Sequence, residues 1–220
     1  MILRICLCWV LAGLIPVQAQ TISLGLFSQG QRTGWEEKSF AGHTHYSLIA
    51  DRETGHRVLQ AISKGTASGL LLEREIDLNQ TPWLEWSWKV VDSSLLKQAG
   101  HDEHLKSGDD YAVRLYVIIS DPPFFWRTRA LNYVWSANQP VGTVWPSPYT
   151  ENSTLIAVES GTENIGIWRS YRVNLRQDIK RYLGMKGDKI NAIAIMSDSD
   201  NTKTDNTVLF GDIRLSSNIP

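Results

Sequence analysis

Cysteine is nearly absent: the chain has two, Cys6 and Cys8, both within its first nineteen residues. From residue 20 onward there is none, which excludes disulfides, thiol nucleophiles and cysteine-held metals there. An excess of one charge is missing too. Lys and Arg number 22 against 23 Asp and Glu, and with Arg4 set aside the balance is 21 to 23, a net charge of -2. No strong field draws such a chain to nucleic acid or to an anionic bilayer. There is no glycine-rich phosphate loop and no serine in a nucleophile elbow, so cofactor-dependent chemistry has no motif to stand on.

A membrane-spanning run is also lacking. The apolar stretch Ile5 to Ile15 is shorter than the roughly 20 residues a spanning helix needs. It follows one positive charge, Arg4, is broken by Pro16, and leads to Val17-Gln18-Ala19, compact residues of the kind a signal peptidase reads. The expectation is a secretory signal over residues 1–19, cleaved after Ala19, and a periplasmic or secreted mature chain with no integral membrane segment. Residues 20–220 then form one domain, a length that buries a single core without a second unit.

What is present is aromatic alternation. Trp83 to Val91 places Leu84, Trp86, Trp88 and Val90 on one face and Glu85, Ser87 and Lys89 on the other, the pattern of a half-buried strand. Tyr111, Val113, Leu115, Val117 and Ile119 are expected to share a face in the same way. Further strands are expected at 22–27, 46–50, 57–63, 68–73, 131–136, 154–160, 167–173, 190–197 and 207–216. One short helix is expected near 175–183, capped by Asn174, lined by Leu175, Ile179, Tyr182 and Leu183, and ended by Gly184. Many short strands with polar or Gly/Pro punctuation predict an all-β fold, an antiparallel β-sandwich or jelly roll.

Several motifs occur in order along the chain: Phe27 with Trp35, Val58-Leu59-Gln60-Ala61 followed by Ser63 to Gly69, Leu84 to Val90, and Gly108 to Val117. Tyr133-Val134-Trp135, Trp168 to Asn174 leading to Asp178, Ile193 to Thr202, and Gly211-Asp212-Ile213 complete the set. The pattern resembles the bacterial exported proteins grouped as domain-of-unknown-function family 3047, over nearly the whole of residues 20–220. That family has no established activity, so the resemblance implies no catalytic residues. More distantly, the order of elements and the closing Gly-Asp-Ile-Arg-Leu strand resemble galactose-binding-like jelly rolls, which implies carbohydrate binding and a structural calcium as expectations.

Three groups of residues could carry chemistry. Asp198, Asp200 and Asn201 offer hard oxygen ligands at the spacing calcium takes, without the glycine and distal glutamate of an EF-hand; a polar turn bonded to its own backbone is the plainer reading. Asp109 and Asp110, at the mouth of a long strand, could join Asp198 and Asp200 in an acidic cleft for paired-carboxylate hydrolysis. The plainer reading there is Asp110 paired with Arg114. Aromatic rings at Phe124-Phe125-Trp126, Tyr133, Trp135, Trp145 and Tyr149 could stack on sugar faces, with Trp126, Trp135, Trp145 and Tyr149 as the ligand-facing set. Arg127 and Arg129 beside them also allow a lipid surface, and burial as a cap on the sandwich is the third possibility. His101 and His104 read as a solvated surface segment rather than zinc ligands.

The leading functional expectation is an exported, non-catalytic sandwich that binds a glycan or another envelope component. A polysaccharide hydrolase or lyase using the carboxylates, and a structural envelope protein, are the alternatives. No cofactor is expected beyond the possible structural calcium.

Overall fold

The computed structural model describes residues 20–98, 100–120 and 125–217. The expected signal at 1–19, and Phe124, lie outside them. Two seven-stranded sheets pack face to face. In the first, β1 (Thr21–Gly25), β3 (His45–Ala50), β4 (Arg57–Lys64), β6 (Trp83–Ser93), β11 (Arg169–Asn174), β13 (Asp205–Phe210) and β14 (Ile213–Ser216) run in the order β1-β14-β6-β13-β4-β3, and β11 also pairs with β6. The second sheet contains β2 (Trp35–Ala41), β5 (Ala67–Asp77), β7 (Arg114–Ile119), β8 (Arg129–Ser136), β9 (Val144–Pro146), β10 (Ser153–Ser160) and β12 (Lys189–Asp198), in the order β2-β5-β12-β7-β8-β10-β9. Every pairing is antiparallel except β10 with β8. The all-β sandwich is as expected.

The core lies between the sheets and follows the period of two. Leu84, Trp86, Trp88 and Val90 of β6 are buried there, facing Leu115, Val117 and Ile119 of β7 and Leu131, Tyr133 and Trp135 of β8 within one apolar cluster. Trp86 stacks on Tyr171 with ring centroids 5.0 Å apart and meets Tyr133 at 5.2 Å. Such ring pairs add to the burial of large apolar area.

The helix α2 (Leu175–Leu183), which follows the short α1 (Ser94–Lys97), is where the sequence places it. Asn174 accepts from the Gln177 amide, and Gly184 closes the helix at a φ of 66°. Leu175 and Ile179 bury its apolar stripe on the core. No described helix is long and apolar enough to cross a membrane.

Four details depart from expectation. The strand expected at 207–216 is two, because Gly211 and Asp212 interrupt it; a Cβ at Gly211 would stand 2.2 Å from Ser87 Oγ. β2 went unseen because its Glu36, Glu37 and Lys38 obey no apolar alternation, as suits an edge strand protected by charge. β9 is only three residues long. Residues 111–113 precede β7 rather than extending it, so Tyr111 leaves the inward set and packs with Val134, Trp145, Leu155 and Ala157 in a separate small cluster on the outward face of the second sheet.

Candidate functional site

That outward face carries a groove of about 610 Å³. Its floor comes from the residues of alternate parity to the core: Arg114, Tyr116 and Ile118 on β7, Ala130 and Asn132 on β8, Met196 and Asp198 on β12, and Ser153 and Leu155 on β10. Its rims are Ser147, Tyr149 and Thr150 on one side, Asp200 and Asn201 at one end, and Phe40 of β2. The strands are pleated, so once the core face is fixed these side chains have no other direction.

One end of the groove is charged and buried. Arg114 lies between the Tyr111 and Tyr116 rings, 5.2 and 5.1 Å from their centroids, and donates to Asp198 Oδ2. Asp109 Oδ2 is 3.8 Å from the same guanidinium. Asp198 Oδ1 accepts from the Tyr111 amide at 3.1 Å, and the Asp198 carbonyl accepts from Asn206 Nδ2 at 3.1 Å. Asn206 also bonds Ser93 and Ser63, so a buried polar network behind the groove fixes the end of β12. Asp109 is set by the turn before it, where a Cβ on Gly108 would come 2.4 Å from the Asp102 carbonyl.

Burial pushes the Asp198 carboxyl well above the usual range; Arg114 opposes the shift and Asp110 and Asp109 add to it. Asp109 is raised for the same first cause, with Arg114 again opposing. Asp200 is raised by burial and by Asp110. Arg114 is driven the other way by its burial, yet Asp198 foremost keeps its proton bound more tightly than usual.

The four sequence-singled aspartates therefore converge. Asp110, Asp198 and Asp200 each bring a carboxylate oxygen within 4.8 Å of the others. Their tasks differ. Asp110 accepts from both nitrogens of Asn201 and from the amide and hydroxyl of Thr202, at 2.6 to 3.3 Å, and so ties down the loop after β12. The expected pairing of Asp110 with Arg114 is replaced by Asp109 with Arg114, because the bend at 111–113 breaks the strand parity on which it rested.

These residues do not fit a calcium ion. Both oxygens of Asp198 and both of Asp110 already accept from protein donors. Asn201 Oδ1 accepts from the Tyr149 hydroxyl at 2.9 Å. Arg114 supplies the positive charge that a cation would bring, and would repel one placed beside it. Of the four aspartates, Asp200 alone has neither a side-chain hydrogen bond nor an ion pair to another described residue, while Asp198 and Asp109 have Arg114 and Asp110 has Asn201 and Thr202.

The aromatic candidates separate by exposure. Trp135 is fully buried in the core, and Trp145 roofs the small outward cluster beside Tyr111, 3% exposed, so neither presents a face to a ligand. Trp126 is 69% exposed and lies outside the groove lining, while Tyr149 is 52% exposed on the groove rim. His101 does not sit in solvent as expected: its side chain is buried near Glu103, which in turn accepts from Ser136 and Ala137.

Sequence alone does not single out Arg114, Tyr116, Asn132, Met196 and Phe40 as residues that line a groove. A signal for them existed in Leu131-Asn132-Tyr133-Val134-Trp135, where both parities of one strand carry residues that end up buried, the mark of a sheet covered on both faces.

Among solved structures the chain is similar to a family 11 carbohydrate-binding module from Clostridium thermocellum, in complex with a β-1,3-1,4-mixed-linked tetrasaccharide. The TM-score is 0.48 at 11% identity, over 89% of this chain and 94% of that one. It is similar to a family 30 carbohydrate-binding module of a cellulosomal cellulase from the same organism, with TM-score 0.49 and 14% identity over 85% of this chain and 93% of that one. A third is the Endo-D glycoside hydrolase domain from Streptococcus pneumoniae, with TM-score 0.44 and 11% identity over 84% of this chain and 22% of that one. No curated protein matches. The family model described as protein of unknown function (DUF3047) matches residues 33–214, and the chain belongs to that family.

Proposed function

We propose that the protein is an exported carbohydrate-binding sandwich that holds a glycan along the outward groove of the second sheet without cleaving it. One observation carries this reading: the groove combines apolar faces at Tyr116, Tyr149, Phe40 and Met196 with planar polar groups at Asn132, Arg114, Asp109 and Asp200. A pyranose has an apolar ring face and a rim of hydroxyls that both donate and accept, and a pocket of mixed lining with fixed polar groups meets both needs. Tyr149 is held by its bond to Asn201, so its ring is presented with little entropy to lose.

Calorimetric titration with a panel of bacterial and plant oligosaccharides tests the reading. At least one is expected to bind the native protein and to bind Tyr149→Ala much more weakly. Failure of every glycan to bind would favour a purely structural envelope role. The export part is tested by amino-terminal sequencing of the protein made in a bacterial host, with Gln20 expected as the first residue of the processed form.

A second reading has one observation in its favour, the convergence of carboxylates beside aromatic rings. Paired-carboxylate hydrolysis needs one group held protonated and its partner held ionised. Burial raises both Asp109 and Asp200, while Asp198 is committed to Arg114. The two are thus pushed the same way, and binding is the better account. Release of reducing ends from a bound glycan, abolished in Asp109→Asn, would reverse that choice.

A further inference from the structure

We propose that Trp126 is an outlying subsite beyond the groove, so that the glycan taken is a linear chain that fills the groove and runs on across the Trp126 ring. The inference rests on the groove being a glycan site and goes on to name the form of the chain and the end at which it leaves. Among the described side chains three aromatic ones are exposed, Phe40, Trp126 and Tyr149. Phe40 and Tyr149 line the groove. One exposed ring calls for no explanation, but an exposed third ring in line with two others does.

Strand register places Trp126 in that line. The groove floor on β7 runs from Arg114, opposite Met196, to Ile118, opposite Ala130. These two residues are four positions apart, about 13 Å of strand. Asp109 and Asp198 stand at the Arg114 end. At the Ile118 end the lining finishes with Thr128 and Ala130, and Trp126 stands two residues before Thr128 in the helical turn that leads into β8. Asn152 pins that turn to the rim loop. Its Nδ2 donates to the Trp126 carbonyl at 3.4 Å, its Oδ1 accepts from Arg129, and its own carbonyl accepts from the Ala130 amide at 2.9 Å. The same loop carries Tyr149 and Thr150 on the groove wall. The Trp126 backbone is thus held beside the far end of the groove, and a held residue loses little entropy when a ligand arrives.

Covering an exposed indole with the apolar face of a pyranose removes apolar area from water on both partners. A compact or branched ligand that ends within the groove leaves the ring bare. A linear chain reaches it once it outruns the floor, so Trp126 is expected to act on long chains and not on short ones.

Cello-, manno-, xylo- and chito-oligosaccharides, each graded from disaccharide to hexasaccharide, are to be titrated calorimetrically into the native protein, Trp126→Ala and Trp126→Tyr. In a series that binds, the hexasaccharide is expected to bind Trp126→Ala about five- to tenfold more weakly than the native protein, the size of one aromatic contact. The shortest member that binds is expected to bind both alike, and Trp126→Tyr to recover most of the loss. Equal affinity of Trp126→Ala and the native protein for the hexasaccharide overturns the outlying subsite while the groove reading stands. A loss of the same size at every chain length overturns it too, as a change in the groove itself. Loss of binding to phosphatidylglycerol vesicles in Trp126→Ala, with glycan affinity unchanged, overturns it in favour of a lipid surface. Binding of compact or branched glycans alone overturns it, and binding of no glycan of any kind overturns both readings.

Discussion

The two faces of the second sheet use the same strands and bury different things. On β7, Leu115, Val117 and Ile119 turn to the core, while Arg114, Tyr116 and Ile118 turn outward; on β8, Leu131, Tyr133 and Trp135 oppose Ala130, Asn132 and Val134. The inner face is apolar and packed against another sheet. The outer face is also substantially buried, yet its groove is lined by an arginine, three aspartates and two asparagines. Fold stability alone does not call for charges there, because a hydrophobic replacement of a buried ion pair is often as stable or more so. Buried charge on an outward face therefore marks the site more sharply than the tryptophans do.

The comparison can be broken from either side. Trp88→Ala on the inner face is expected to cost about 3 to 5 kcal/mol by urea unfolding, since the ring is fully buried among Trp86 and Tyr171. A small cost would mean the inner core is not the main source of stability. On the outer face, Arg114→Met is expected to cost about 3 to 5 kcal/mol because it strands the Asp198 and Asp109 carboxylates, and the double variant with Asp198→Asn should recover most of that loss. No recovery would show that Arg114 matters for shape rather than charge.

A pH series sharpens the same contrast. The folded-state Asp109 carboxyl lies above its ordinary value, so the native state holds that proton longer than the unfolded chain, whose value is about 3.9. Between those two values stability falls as pH rises, and above the folded value the loss is constant. Asp109→Asn is expected to remove that fall and to unfold at higher urea than the native protein at neutral pH. Parallel curves for the two proteins would contradict the assignment. Tyr149→Ala, on the exposed rim, should change stability by less than about 0.5 kcal/mol while weakening glycan binding. Smallest of all, calcium and chelator are expected to give the same melting midpoint, and a calcium-dependent rise would show that the aspartates hold an ion after all.

Legibility followed the same division. The inner face was readable because β6 alternates strictly, so Leu84, Trp86, Trp88 and Val90 announce their own burial. The helix was readable from its cap, stripe and closing glycine. Asp109, Asp110, Asp198 and Asp200 stood out as residue types, but their division of labour did not, because the bend at 111–113 shifts parity and a loop 91 to 92 residues away supplies the partners of Asp110. Trp135 and Trp145 misled as ligand candidates because ring type does not report exposure. Arg114, Tyr116 and Asn132 become a groove only when β7 and β8 lie side by side, a juxtaposition that local pattern does not encode.

The most direct measurement is amide chemical-shift mapping of the labelled protein titrated with an oligosaccharide that binds it. Perturbations are expected at Tyr116, Asn132, Tyr149, Met196 and Asp200, and not at Arg172 and Arg214, which line the depression of about 400 Å³ on the other sheet. Shifts confined to that opposite depression, or scattered with no focus on the groove, would contradict the outward face of the second sheet as the binding site.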